Sequence, residues 1–308
     1  MLFIIFKVII LTLLAPFCVG IVRKVKALMQ NRKGASVFQP YADLWKLFHK
    51  DEVVSKDASW IFLIVPYLVF GISMFVLSAV PLVGSLDIGF VSGDFLTILF
   101  TLALGTFFLA LAGIDIGSPF GGFGSSREMT LAALAEGILI FSIVPVAFLT
   151  NTANIASMAL LTADLPMLSY IVLFLAFAGF VVALFAETGR IPFDNAATHL
   201  ELTMIHEAMI LEYSGKRLAL IEWANANKML FFSLIGANLF FPFGLTTQTD
   251  IFSMTLALTI SLVKTVFLLV GVAFVESIIA KYRFFRLPDI LLTGFLFSLL
   301  ALFAITVI

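Results

Sequence analysis

An all-α, polytopic membrane fold with eight transmembrane helices is the class this sequence predicts, and three observations predict it. Of the 308 residues 62% are hydrophobic and 12% charged, with a mean hydropathy of +1.15; a soluble domain carries about half and about a quarter. Apolar runs near the roughly 20 residues needed to cross a bilayer recur along the chain. And 16 of the 18 lysines and arginines fall in alternate connections between those runs. The same numbers exclude an ordinary soluble enzyme. A net charge of -1 gives no overall electrostatic case for nucleic-acid binding.

The first span covers 2–22. Its basic cluster lies behind it rather than before it, which marks an uncleaved helix instead of a leader. Arg23, Lys24, Lys26, Arg32, Lys33, Lys46, Lys50 and Lys56 then fill the connection to span 2 at 59–83. Within it, Tyr41, Leu44, Trp45 and Phe48 recur at helical spacing among Asp43, Lys46, His49 and Lys50. That pattern predicts an amphipathic helix in the interface plane. Such a helix either anchors to the surface or forms a doorway to a lateral cavity or a docking face. Spans 3, 4 and 5 cover 95–113, 130–150 and 168–187. Span 6, 228–245, is the shortest, with Pro242 breaking its last turn. Spans 7 and 8 cover 251–275 and 289–308. The connections 84–94, 151–167 and 246–250 hold no lysine or arginine, so the basic ones are expected in the cytoplasm and both termini outside. With no linker or repeat visible, 1–308 reads as one transmembrane domain.

Ionisable residues within spans are expensive and usually face a protein interior or a wet cavity. Glu136 lies in span 4 among Leu134, Ala135, Gly137 and Ile138, and Lys264, mid-span in span 7, is its candidate partner or relay. Lys7, nearer the outer end, is expected to snorkel to water. The segment 187–215, ETGRIPFDNAATHLELTMIHEAMILEYSG, holds Glu187, Asp194, Glu201, Glu207 and Glu212 among apolar residues. It reads as a buried acidic funnel in which groups share protons; scattered surface acids are the bland alternative. Gly189 and Pro192 end the preceding helix, and Glu187 and Arg190 pair at i,i+3 if the turn persists. The expected proton or charge path is thus Glu136, Glu187, Arg190, Asp194, Glu201, Glu207, Glu212 and Lys264. Glu222 is expected at the surface.

His199 and His206 lack the further ligands a metal site needs, and HExxH is absent. The single cysteine, Cys18, sits in an apolar run and reads as a small buried residue; it cannot supply the four thiolates of a cluster. The glycine-rich stretch 113–128, GIDIGSPFGGFGSSRE, has no P-loop lysine and reads as a compact inner loop open to a soluble protein. Arg32, Lys33 and Gly34, with Asp115, Arg127 and Glu128, are the candidate docking residues.

Several motifs together resemble a known family. ETGRIPFD at 187–194, Glu201-Leu202, Glu212-Tyr213, MQNRKG at 29–34, QPYADLWKLF at 39–48 and AKYRFFRLPD at 280–289 are similar to the subunit 1 family of respiratory complex I. GSPFGGFGSSRE and EYSG look most like the branch found in group 4 membrane-bound [NiFe] hydrogenases, the formate hydrogenlyase subunit 4 or hydrogenase-4 component C type. Ala197 and His199 stand where family members commonly carry acids, and Glu207 sits in a short insertion, so His199 and Glu207 are candidate substitutes. The resemblance implies a non-catalytic anchor that couples a soluble redox module to proton or sodium translocation. Nickel, iron and iron–sulfur clusters would belong to partners. Those partners would be the hydrogenase large and small subunits, ferredoxin-like subunits and antiporter-like membrane subunits. The expected location is the inner (cytoplasmic) membrane. Two other readings stay open: the quinone-site subunit of an NADH dehydrogenase, and a free-standing secondary transporter. The lopsided inner loops and the lack of inverted repeats speak against the transporter.

Overall fold

The computed structural model describes residues 2–82, 93–194, 204–246 and 250–306, and among these every regular element is helical. In chain order they are α1 Leu2–Met29, α2 Gln39–His49, α3 Trp60–Ser78, α4 Phe95–Asp115, α5 Pro119–Thr150, α6 Ile155–Leu161, α7 Ser169–Glu187, α8 His206–Ile210, α9 Gly215–Leu239, α10 Ile251–Ile278 and α11 Leu287–Ile305. Among the described residues seven helices are long and apolar enough to cross a membrane: α1, α3, α4, α5, α7, α10 and α11.

The expected sixth span departs from this pattern. It lies in α9, which starts at Gly215 rather than at 228, and its first half carries Lys216, Arg217, Glu222 and Lys228. From Met229 to Leu239 every residue is buried, so this helix is enclosed by protein and not by lipid. It packs against α1, α2, α3 and α10. A second group, α5, α7 and α11, packs mutually, and α4 joins the two by touching both α3 and α5.

α5 corrects the inner-loop reading. Residues 119–128 are helical and make one 32-residue helix with the expected fourth span, about 48 Å long at the standard rise. Pro119 starts it, where a missing N–H costs nothing. Gly117, at φ +70°, makes the turn between α4 and α5, whereas Gly121 and Gly124 serve close packing. A Cβ on Gly121 would stand 2.2 Å from the Gly113 carbonyl oxygen, and one on Gly124 2.7 Å from Ala208 Cβ. Ser125 Oγ donates to Ala110 O at 2.8 Å across the same crossing.

The amphipathic helix forms as α2, with Pro40 in its first turn. Leu44 is buried and Trp45 exposed, so the 41/44/45/48 stripe is split between protein and surroundings. Lys7 does not snorkel: it is buried, and Nζ donates to Val80 O at 3.0 Å, beyond the last turn of α3. Cys18 is buried.

Candidate functional site

α7 ends in a Schellman motif. Gly189, at φ +57°, donates to Ala186 O at 3.2 Å, and Arg190 N to Phe185 O at 3.0 Å. The chain therefore leaves the helix axis before Arg190, and the expected Glu187–Arg190 pair does not form. Arg190 Nη1 instead meets Glu276 Oε1 at 3.1 Å, while Lys26 Nζ meets Glu276 Oε2 at 3.1 Å. Glu187 Oε2 takes Lys228 Nζ of α9 at 2.7 Å. Past the cis Ile191–Pro192 peptide, Asp194 accepts from Lys281 Nζ at 2.8 Å and from the Ile205 and His206 amides at 3.1 and 3.0 Å. One buried carboxylate thus ties the stretch just past α7 to the start of α8 and to Lys281 beyond α10.

These groups surround a cavity of about 760 Å³. α1 contributes Pro16, Val19, Arg23 and Lys26; α2 contributes Pro40, Asp43, Leu44 and Leu47; α9 contributes Glu222, Asn225, Lys228 and Met229. Glu187, Arg190, Asp194, His206, Glu207 and Glu276 complete the wall, and Arg32 and Gly34 border it. α2 is therefore part of the cavity wall. Gly20 lets the returning chain close in, since a Cβ there would fall 1.8 Å from the Val37 carbonyl oxygen.

Glu187 also borders a second void, of about 10 Å³, together with Glu136, Leu99, Phe100, Leu102, Leu139 and Ile140. That is room for about one water. Glu187 Oε1 is buried without a hydrogen bond among the described residues. A single side chain thus stands between the large cavity and Glu136.

His206 lies 3.7 Å (Nδ1) from Glu128 Oε1 and 3.0 Å (Nε2) from Asn225 Nδ2. Burial opposes its charge, but the Glu128 carboxylate, with Glu207 nearby, overcomes this and raises its pKa to about 9. As the imidazolium both ring nitrogens donate, and the Asn225 amide can turn its oxygen inward to accept.

The structure gathers Glu187, Arg190, Asp194 and Glu207 at the cavity, with Glu136 behind Glu187. Glu201 and His199 lie outside the described residues. Glu212 is exposed and away from the cavity wall. Glu222, expected at the surface, is on that wall. Lys264 is engaged elsewhere: it donates to Phe241 O and Phe243 O at 2.7 and 2.9 Å, just past the end of α9. Among the docking candidates Arg32, Lys33 and Gly34 are exposed. Asp115 accepts from Ser59 Oγ and N at 2.7 and 2.9 Å, tying α4 to the start of α3. Arg127 donates to Met204 O at 3.1 Å and lies 5.8 Å from the Phe284 ring centroid, and Glu128 faces His206. Those three are engaged with other parts of the chain itself. Sequence reasoning missed Glu276, Lys26, Lys228 and Lys281 as partners; the only signal was an acid, Glu276, at the very end of an apolar run. Among the described residues no group of three His, Cys, Asp or Glu could hold a metal ion.

A family model described as NADH dehydrogenase matches residues 1–307. Hydrogenase-4 component C of Escherichia coli (strain K12) is 33% identical over 298 residues, covering 96% of this chain and 92% of that protein. Formate hydrogenlyase subunit 4 of the same organism is 32% identical, covering 96% and 95%. In fold, the chain is similar to one in the structure of the membrane-bound sulfane sulfur reductase, an archaeal respiratory membrane complex. The TM-score is 0.82 at 20% identity, covering 97% of this chain and 98% of that one.

Proposed function

This chain belongs to the NADH dehydrogenase subunit 1 family, and on that premise we propose that it is the membrane-anchor and energy-coupling subunit of a group 4 [NiFe] hydrogenase-like complex. It links a soluble redox module to proton or sodium movement. The observation that carries this reading is the position of Glu187, which borders both the charged cavity and the water-sized void shared with Glu136. A charge or ligand change in the cavity acts first on the Lys228–Glu187 pair. Loosening that pair changes how Glu187 and Glu136 share a proton across the void. The chain then couples by charge and catalyses no redox step itself.

In this reading the nickel–iron centre and iron–sulfur clusters sit in hydrogenase and ferredoxin-like partners, and antiporter-like subunits move the ion. Arg32, Lys33 and Gly34 form the exposed docking surface for the soluble module. The chain is one transmembrane domain in the inner membrane, with its basic connections in the cytoplasm and both termini outside. The cavity's size and its apolar end at Pro16, Val19 and Met229 favour one alternative, a complex I-type subunit with a quinone there. Hydrogen turnover without quinone separates the two.

The test is Glu136→Gln and Glu187→Gln in the intact complex. Assembly and hydrogen turnover with an artificial donor should persist, while ion translocation falls at least tenfold. Normal translocation in both variants refutes the path.

A further inference from the structure

Between α10 and α11 the chain turns from one candidate span to the next through residues 279–286. Two contacts hold this hinge against the rest of the chain. Lys281 Nζ meets Asp194 Oδ1 at 2.8 Å, and the Tyr282 amide donates to Pro192 O at 3.1 Å. Phe284 then packs against the main core, with the Arg127 guanidinium 5.8 Å from its ring centroid. The Arg286 amide closes the turn onto Arg283 O at 2.9 Å.

That turn leaves an unusual surface. Phe284 takes the inward place, and Phe285 is 90% exposed. Arg283 and Arg286, to either side of it, are exposed too, and neither guanidinium has an ion pair or hydrogen bond among the described residues. Asp289, three residues beyond Arg286, is exposed and likewise unpaired there, so the patch keeps a net positive charge. The apolar surface continues along both helices: Phe274 and Ile278 at the end of α10 are exposed, as are Leu292 and Leu296 of α11. The two helices also pack on different neighbours, α10 on α1 and α9, α11 on α5 and α7. An exposed aromatic ring flanked by two cations, at the joined ends of two spans, matches the level in a bilayer where acyl chains give way to phosphates.

We propose that the 283–286 turn is a binding site for an anionic phospholipid, whose phosphate takes Arg283 and Arg286 and whose acyl chain lies against Phe285. Guanidinium groups suit phosphate oxygens because their donors form a planar fork. The ring gains burial that water denies it. The ties at Lys281 and Tyr282 keep Phe285 at the level of the span ends, which favours a lipid over a soluble partner. This site needs only that α10 and α11 cross the membrane, and it is independent of the coupling role proposed above.

The test uses the full chain in phosphatidylcholine nanodiscs containing a trace of photoactivatable phosphatidylglycerol or photoactivatable phosphatidylcholine. It reads the cross-link yield on the peptide that carries 283–286. A basic residue near an anionic surface is worth about fivefold, so the parent should favour phosphatidylglycerol by at least about fivefold. Arg283→Gln combined with Arg286→Gln should bring the two yields within about twofold of each other. A parent ratio near one overturns the site, as does a preference that survives the double variant. Docking of an acidic soluble partner on the patch would give that flat ratio, with cross-links to the partner in the assembled complex. Should the double variant fail to fold, the parent in about 1 M salt decides, where screening should flatten the ratio. A preference insensitive to salt overturns the proposal.

Discussion

Glu276 holds two cations from distant segments, Lys26 of α1 and Arg190 just past α7, and removing its charge should cost the fold more than any single surface change. Its carboxylate is 4% exposed, and Lys26 and Arg190, both at 3.1 Å, are 25% and 18% exposed. At an effective dielectric of 20 each contact is worth about 5 kcal/mol before desolvation. Breaking a buried pair by deleting one partner costs about 3–5 kcal/mol. Partial exposure of the cations places Glu276→Gln near the low end, about 3 kcal/mol, with Lys26 and Arg190 left facing each other across the cavity wall. Taking Arg190→Gln as well removes one of those cations. The double variant should then lose at least about 1 kcal/mol less than the two singles together. Reversible unfolding of the purified chain in mixed micelles, followed by tryptophan fluorescence, measures all four corners of the cycle. Additivity within about 0.5 kcal/mol, or a single-variant cost below about 1 kcal/mol, refutes the network.

Two further outcomes are expected. His206, raised from 6.5 to about 9 by Glu128 and Glu207 against burial and Lys228, contributes stability that is complete below pH 6.5 and is lost as pH rises through about 9. Amide exchange over 204–210, corrected for intrinsic rate, should therefore accelerate between pH 7 and 10 in the parent and stay flat in His206→Gln; equal profiles contradict the Glu128–His206 contact. For sidedness, cysteines replacing Lys33, which is exposed, and Met167, which is 90% exposed, should label from the cytoplasm and from outside respectively. The reverse pattern inverts the proposed topology.

Helices with a strong local signature were legible in the sequence. α1, α3, α4, α7, α10 and α11 each announce themselves by an apolar run, and α2 by its 41/44/45/48 stripe. The start of α5 was hidden because glycine disfavours a helix locally. Gly121 and Gly124 are helical for a tertiary reason, the close approach of Gly113 and Ala208. The acids that gather at the cavity were legible as candidates, but their partners were not. Lys26 and Glu276 are 250 residues apart, and Asp194 and Lys281 are 87 apart; no spacing rule reaches that far. Glu187 and Arg190 misled for the opposite reason, since a local rule applied across a helix end that Gly189 had already turned.

The enclosure of α9 has a consequence for how the chain is built into a bilayer. Lys228 sits at the middle of this helix, and a lysine at the centre of a lone inserting segment costs about 2.5–3.5 kcal/mol. Its counter-ion, Glu187, closes α7, and the acceptors for Trp223, Asn227 and Asn238 lie on α1, on α3 and at Pro81. All of these precede α9 in the chain, so a ribosome working from the N-terminus delivers the anion and the acceptors before the donors that need them. The order of synthesis thereby places the most polar of the long helices into a site already prepared for it, with α10 following to close the far side.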